Sequence, residues 1–406
     1  MHYPQSLNTI LTKFKKLHIK PIIVGGYVRD MLLGIKSKDI DIELYGVKSL
    51  EIVENILKEF GEVNSVGKSF GVCKLQIENL EIDFSLPRKD SKISVGHKGF
   101  EIATDASLDF TTASSRRDFK MNAIGYDLIE EKILDPFNGQ KDIKEKKISA
   151  INEHKFIEDP LRVLRAVQFA ARFEFRLDKK LFTLCTKMVR EKSLDELPKE
   201  RIYEEIKKLL LKSQKPSQGF ILLKKLNTTL YFPEFKSQLP ALDFMAQKKI
   251  ENQDEKLSLM FTLLSLKFKK NEELKFLNLL TNNKSILKEV ESFINTIKSF
   301  NENSTTNYDI YILATQVKVE SFLLLLDALS LGSKSKELKC IQQRAVKLGV
   351  LYKKAPALIL GRDLIKLGLT PSPKFSKLLK NAYIAQLKKE FTNKKEAVNW
   401  LKQLIK

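Results

Sequence analysis

The sequence predicts an α+β protein, with a small mixed sheet in the first third and an all-helical remainder. Three observations carry that expectation. Short runs rich in Ile and Val, some alternating in polarity, stop near Asp142. From "FIEDPLRVLRAVQFAARF" onward the chain is a succession of amphipathic patterns at helical spacing. These are punctuated near Pro198, Pro216, Pro233, Pro240 and the "TPSP" segment at Thr370–Pro373. At 406 residues and 43% apolar, the chain is long enough for two to four packed domains.

Taken in order, "PIIVGG" and "DIDIEL" read as strands, and "SLEIVENILKEFG" between them and the next strands reads as a helix ending at Gly61. "CKLQI" and "LEIDFSL" alternate and read as paired strands around the "ENL" turn. Gly25 and Gly26 follow an apolar strand and precede a helix expected to begin near Val28. Residues without a Cβ let the backbone approach a ligand, and N–H groups at a helix start attract phosphate. Arg29, one turn in, is placed to add a bidentate phosphate contact. The GxGxxG dinucleotide pattern is absent.

Asp39 and Asp41 are two apart on a strand, so both carboxylates face one locus. Like charges at that spacing repel unless a cation sits between them, and Mg²⁺ that also takes phosphate oxygens is the natural candidate. Two exposed strand aspartates are the plain alternative, but it leaves the adjacent glycine turn unexplained. Asp83 in "LEIDFSL" is a candidate third carboxylate, or an ordinary edge-strand aspartate.

The charge balance points to a polyanionic partner. Seventy-one Lys and Arg against 50 Asp and Glu leave a formal net charge of +21, with lysine spread along the whole chain. Such a surface favours nucleic acid ahead of an acidic membrane, although a general lysine bias would look similar. Cys73, Cys185 and Cys340 are far apart and form no CxxC pair, which fits a reducing compartment. The N-terminus lacks a signal-peptide apolar run and no stretch of about eighteen apolar residues occurs, so a cytoplasmic protein is expected and no membrane partner.

"VGGYVRDMLLG…DIDIELYG" resembles the head-domain signature of the class II tRNA nucleotidyltransferases and bacterial poly(A) polymerases. The resemblance continues through "SLPRKDSK…GHKGFEI", similar to a flexible segment of that family. Next come "RRDFKMNAIGYD", like the RRDFTxNA motif, and "DPFNGQKDI". "EDPLRVLRAVQFAARF" resembles the EDxxRxxR motif, and "PKERIYEEI" the motif after it. "GRDLIKLGL" near Gly361 resembles the tail domain.

The resemblance implies a nucleotidyltransferase head (1–145), a neck for base recognition (146–210), a helical body (211–335) and a helical, tRNA-binding tail (336–406). It implies attack of an RNA 3′-hydroxyl on the α-phosphate of a nucleoside triphosphate, with pyrophosphate leaving. Asp39 and Asp41 would be catalytic and hold Mg²⁺, while Gly25, Gly26 and Arg29 would hold the triphosphate. Arg116, Arg117 and Asp118 form a second cluster, suited to phosphate and to a ribose hydroxyl, with Asn122 shaping the same site. A surface salt-bridge cluster is the plain alternative.

Asp159 and Arg162 are three apart in a helical pattern and are expected to share one face. A carboxylate accepts from an exocyclic amino group and a guanidinium donates to a ring nitrogen or carbonyl. One such pair would select CTP and ATP and refuse UTP and GTP without a template, with Arg165 orienting Asp159 or touching base or triphosphate. An ordinary i,i+3 salt bridge is the alternative.

Two positions depart from the family pattern: Lys120 stands where RRDF is usually followed by threonine, and Gln168 where a third arginine is frequent. Many relatives carry an HD phosphohydrolase domain, but the four histidines, His2, His18, His97 and His154, all precede the helical region, so that activity is not expected.

The leading expectation is CCA addition to the 3′ end of tRNA from CTP and ATP. The long segment Arg88 to Ser115 supports it, since CC-adding relatives tend to have that loop curtailed. CC- or A-only addition and poly(A) synthesis are the alternatives within the family. A non-catalytic RNA-binding relative would be expected to lose the paired aspartates. A small-molecule nucleotidyltransferase would not need a basic helical arm. The sequence does not give the oligomeric state.

Overall fold

A computed structural model describes residues 3, 5–37, 39–64, 71–77, 80–92, 100–232, 238–266, 273–301 and 305–405. The chain divides into two compact units, Met1–Glu234 and Phe235–Lys406.

The first unit opens with α1 (Leu7–Lys16), which buries Leu7, Ile10, Leu11 and Phe14 at helical spacing and turns its lysines outward. β1 (Lys20–Val24), α2 (Gly26–Leu32), β2 (Ile40–Tyr45) and α3 (Leu50–Leu57) follow. The Ser49 hydroxyl caps α3 by accepting from the Ile52 amide. β3 (Glu62–Asn64), β4 (Val72–Ile77) and β5 (Leu80–Ser85) come next, then β6 (Arg88–Lys92) and β7 (Phe100–Thr104), an antiparallel pair of their own. After α4 (Phe110–Ser114), β8 (Gly125–Asp127) and β9 (Lys132–Leu134) complete a seven-stranded sheet in the order β3-β4-β5-β2-β1-β8-β9.

Only the β2–β5 pair is parallel in this sheet; the other neighbours are antiparallel. β2 therefore lies at the centre, which puts its first residues beside the start of β5. One face buries Ile23, Ile42, Leu44, Leu75, Ile82 and Phe84 beneath α1 and α3, with Phe14 edge-on to Phe84 at 6.0 Å. β4 and β5 pair around the expected turn, Ile77 opposite Leu80, with residues 78–79 outside the described set.

Three sequence expectations change in detail. α2 starts at Gly26, two residues earlier than expected, because Gly25 at φ 69° supplies the turn directly before it. Strand pairing does not stop near Asp142: after α5 (Gly139–Lys144), β10 (Lys147–Ile148) pairs in parallel with β11 (Arg176–Leu177). The prolines open helices more than they interrupt them. Pro198 caps α9 (Lys199–Lys212) and Pro216 caps α10 (Ser217–Lys225), positions at which the missing N–H costs no helical hydrogen bond. Pro233 and residues 93–99 of the expected flexible segment lie outside the described residues.

Between these come α6 (Glu153–Ile157), α7 (Leu161–Phe173) and α8 (Lys179–Arg190). α7 buries Val163, Leu164, Ala166, Val167, Phe169, Ala170 and Ala171, so it is the helix the others pack on. Asp178 caps α8, its carboxylate accepting from the Leu181 amide at 2.7 Å.

The second unit is helical throughout its described residues. It comprises α11 (Leu239–Ala246), α12 (Gln253–Ser265), α13 (Glu273–Leu280), α14 (Lys284–Ser299) and α15 (Asn307–Gln316). It continues with α16 (Val319–Leu329), α17 (Ser335–Lys347), α18 (Gly361–Lys366), α19 (Pro373–Leu387) and α20 (Lys394–Ile405). α12 is buried all round from Leu257 to Ser265 and forms the centre. A separate small core joins Ile359, Leu364, Ala382, Phe391 and Leu401 across α18, α19 and α20. No helix among the described residues is long and apolar enough to cross a membrane.

Candidate active site

The acidic locus sits at the start of the central strand. Asp39 immediately precedes β2, Asp41 is its second residue and Glu43 its fourth, so alternation turns all three to one side. In the parallel β2–β5 register Asp41 stands beside Asp83. Asp39 and Asp41 are solvent-exposed, and neither has a hydrogen-bond or ion-pair partner among the described residues. Asp83 is half-buried, and Lys74 Nζ lies 3.3 Å from it.

The Asp41 carboxyl is held above the ordinary aspartate range. Loss of bulk water among the surrounding chain is the largest cause; Arg117 opposes it, while Asp83, Asp39 and Glu43 reinforce it. No cluster of three His, Cys, Asp or Glu is close enough to hold a metal by itself among the described residues. The donors that fit a hard divalent cation here are the paired carboxylates of Asp39 and Asp41, with phosphate oxygens and water making up the rest.

Glu43 is a functional residue that the sequence reading missed. It is only 1% exposed, and its carboxylate accepts from Arg116 Nη2 at 2.9 Å, Arg117 Nη2 at 3.3 Å and the Tyr45 hydroxyl at 2.9 Å. Burial pushes its pKa up, but Arg117, Arg116 and the Tyr45 hydroxyl outweigh that and leave it below the usual range. Two signals were in the sequence: the alternation of Asp39 and Asp41 continues to position 43, and the adjacent arginines need a counter-charge.

Arg117 in turn lies over the glycine turn. Gly25 has φ 69°, a conformation that favours glycine, and a Cβ there would come within 2.6 Å of Arg117 Nη1 and displace that side chain. Gly26 differs: its Cβ would meet Arg29 Nη2 at an ordinary 3.6 Å.

Arg29 is not displayed to a ligand. It is 5% exposed, its Nε and Nη2 donate to Asp30 at 2.8 and 2.6 Å, and its Nη1 donates to Asn122 Oδ1 at 2.7 Å. The guanidinium also lies over the rings of Phe169 and Phe173 of α7, 5.0 and 4.9 Å from their centres. In this arrangement the side chain points inward, with Nε, Nη1 and Nη2 each donating to Asp30 or Asn122.

Asn122 and Asp118 continue the same buried chain. Asn122 Nδ2 donates to Asp118 Oδ1 at 2.9 Å, and Arg165 Nε donates to Asp118 Oδ2 at 2.7 Å. Burial pushes the Asp118 carboxyl up, but Arg165, the Asn122 amide and Arg162 more than offset this and hold it low. At the far end Arg165 Nη1 approaches Glu205 of α9 at 3.9 Å, and at the near end Arg172 donates to Asp30 at 3.1 Å. The chain Arg172–Asp30–Arg29–Asn122–Asp118–Arg165–Glu205 alternates charge and runs from α2 to α7 and α9.

Asp159 and Arg162 do not form the expected helical pair. Asp159 lies in the turn between α6 and α7, outside either helix, and its carboxylate takes both terminal nitrogens of Arg201, at 3.3 and 3.2 Å. Arg162 donates instead to the carbonyls of Lys155 and Arg116, at 2.9 and 2.8 Å. Arg165 serves Asp118, not Asp159. Periodicity placed position 159 on a helix that begins only at Leu161, and could not reveal a partner 42 residues later. Gln168 is buried in α7 with its Nε2 unpartnered, and Lys120 opens the short turn that carries Asn122.

Residues 22–149 match the family described as Poly A polymerase head domain. Residues 174–239 match that described as a probable RNA and SrmB-binding site of polymerase A, and residues 248–401 a putative tRNA nucleotidyltransferase domain 2. A Chromobacterium violaceum protein named multifunctional CCA protein is 36% identical over 203 residues, which cover 50% of this chain and 47% of that one. A Coxiella burnetii protein named CCA-adding enzyme is 34% identical over 223 residues, 54% of this chain and 56% of that one. The chain thus spans about half the length of the curated relatives it matches.

Among solved structures, the Bacillus stearothermophilus CCA-adding enzyme in complex with CTP matches at a TM-score of 0.77 and 21% identity, covering 99% of this chain and 98% of that one. The Thermotoga maritima CCA-adding enzyme complexed with tRNA matches at 0.64 and 21%, covering 100% and 97%. At that identity the likeness establishes the α+β fold.

Proposed function

We propose that this chain, whose residues 22–149 match the family described as Poly A polymerase head domain, adds CCA to the 3′ end of tRNA without a template, using CTP and ATP and releasing pyrophosphate. The observation that carries this reading is the unpartnered pair Asp39 and Asp41, beside Asp83 and facing Arg117. Like charges that face one locus without an ion-pair partner among the described residues favour a bound cation.

Mg²⁺ held by Asp39 and Asp41 would supply neutralisation of the leaving pyrophosphate and activation of the RNA 3′-hydroxyl. Arg117, pinned by Glu43 and reaching over Gly25, offers its guanidinium to the triphosphate, and Gly26 leaves the turn open beside it. Asn122, Asp118, Arg29 and Arg165 act from behind, as the rigid floor that fixes the Arg116–Arg117 segment and α7. Asp159 and Arg162 read the pairing edge of the base: a carboxylate accepts the exocyclic amino group of cytosine or adenine and repels the carbonyl that uracil or guanine presents there.

In this reading the head is 1–145, the neck 146–210, and the body (211–335) and tail (336–406) carry the lysines that meet RNA phosphates in the cytoplasm. The names of the relatives agree with this substrate, and so does the net charge of +21. The test supplies tRNA lacking its 3′ end, tRNA ending in C and tRNA ending in CC, each with one labelled triphosphate and Mg²⁺. Addition that stops after one A on all three supports the reading. Long adenosine tails, or addition of cytidine or adenosine alone, would overturn it in favour of a poly(A) polymerase or a partial enzyme.

A further inference from the structure

We infer that Arg201 is a specificity-positioning residue: by holding Asp159 in a bidentate pair it fixes that carboxylate in plane, and so enforces refusal of UTP and GTP. The inference rests on the base-reading role proposed for Asp159.

The local geometry leaves Asp159 dependent on a partner. It lies in the turn between α6 and α7, so no helical backbone fixes its side chain, and its side chain is 18% exposed, at the accessible edge of the site. Oδ1 accepts from the Leu161 amide at 3.2 Å and from Arg201 Nη1 at 3.3 Å. Oδ2 accepts from Arg201 Nη2 at 3.2 Å and from nothing else among the described residues. One lone pair of Oδ2 therefore remains for an amino donor, in a plane set by the Arg201 fork. Arg201 is itself anchored early in α9, two residues past the start of that helix.

The chemistry shows why the pair matters for refusal and not only for acceptance. A carboxylate free to rotate can turn its charge out of the base plane and away from O4 of uracil or O6 of guanine, which weakens the repulsion. A guanidinium on both oxygens prevents that rotation. Lysine at 201 would keep the charge but lose the fork.

The experiment measures kcat/KM for CTP, ATP, UTP and GTP with wild type, Arg201→Lys, Arg201→Met and Asp159→Asn, and with the Arg201→Met/Asp159→Asn double variant. Relative UTP use is expected to rise about tenfold in Arg201→Met and less in Arg201→Lys. The double variant should discriminate no worse than Asp159→Asn alone, because both changes remove one device.

A purely structural ion pair would instead lower all four values by a common factor and leave the ratios unmoved; that result, or additive effects in the double variant, overturns the inference. Were Arg201→Met not to fold, the Arg201→Lys ratio decides the matter alone. If wild type itself uses UTP as readily as CTP, the base-reading proposal fails first, and that outcome is visible before any variant is made.

Discussion

Two polar regions of the first unit are built on opposite terms. Asp39 and Asp41 are exposed and form no hydrogen bond or ion pair among the described residues. The chain from Arg172 through Arg29, Asn122 and Asp118 to Arg165 is largely buried, each link bonded to the next. The sequence reading treated both as ligand sites, with Asp39 and Asp41 for a metal and Arg29, Asn122, Asp118 and Arg165 for the nucleotide. The contrast separates them: charge left unbalanced at a surface is available to a ligand, whereas charge balanced within the fold positions other groups. The following variants should break function in the first region and stability in the second.

The largest effect is expected from Asp41→Asn, which should lower nucleotide transfer by about 10³-fold or more in a single-turnover assay. Its melting temperature should hold or rise. The Asp41 carboxyl is raised in the fold, so whatever stability its protonation brings is present at low pH and lost as pH rises through the folded pKa. The uncharged amide escapes that loss.

Asp118→Ala should act in the opposite sense. It strands Arg165 and Asn122 beside an apolar gap and should cost about 3–5 kcal/mol in denaturant unfolding. Because its pKa is depressed, the stability Asp118 contributes is present above the unfolded value and disappears as pH falls through the folded one.

Gly25→Ala comes next, with about 1–3 kcal/mol of backbone strain and a displaced Arg117, visible as a lower melting temperature and a raised KM for the triphosphate. A smaller effect is expected in cation binding. Mn²⁺ affinity, followed by electron paramagnetic resonance, should begin to fall at a higher pH than an ordinary aspartate would dictate, since Asp41 must ionise to bind. Asp41→Asn should abolish that pH dependence. Least of all should Gly26→Ala matter. Its Cβ has room within a helix, and the change should move stability by less than about 1 kcal/mol.

Much of this arrangement was legible in the sequence, and the limits have physical reasons. Strand alternation located β1, β2, β4 and β5, and with them the shared side of Asp39 and Asp41, because a period of two residues fixes direction without any tertiary information. The neighbour relation of Asp41 and Asp83 was open, since strand register is set by the whole sheet. Glu43 continues the alternation of Asp39 and Asp41, but its partners, the arginines 73 and 74 residues away, are fixed only by the fold. Arg29 looked like a surface residue one turn into a helix. Only the packing of Phe169 and Phe173 shows that its face of α2 is turned inward. The pairing of Asp159 with Arg201 lay beyond any local period for the same reason.

The central claim is that Asp39 and Asp41 together hold the metal that serves an incoming nucleotide beside Arg117. It is tested most directly by diffraction from crystals soaked with Mn²⁺ and a non-reactive CTP analogue, with data collected at the manganese absorption edge. The account predicts an anomalous peak within coordinating distance of both carboxylates, with the triphosphate against Arg117. A bound analogue with no manganese between Asp39 and Asp41, or the two carboxylates turned to opposite faces of β2, would contradict it.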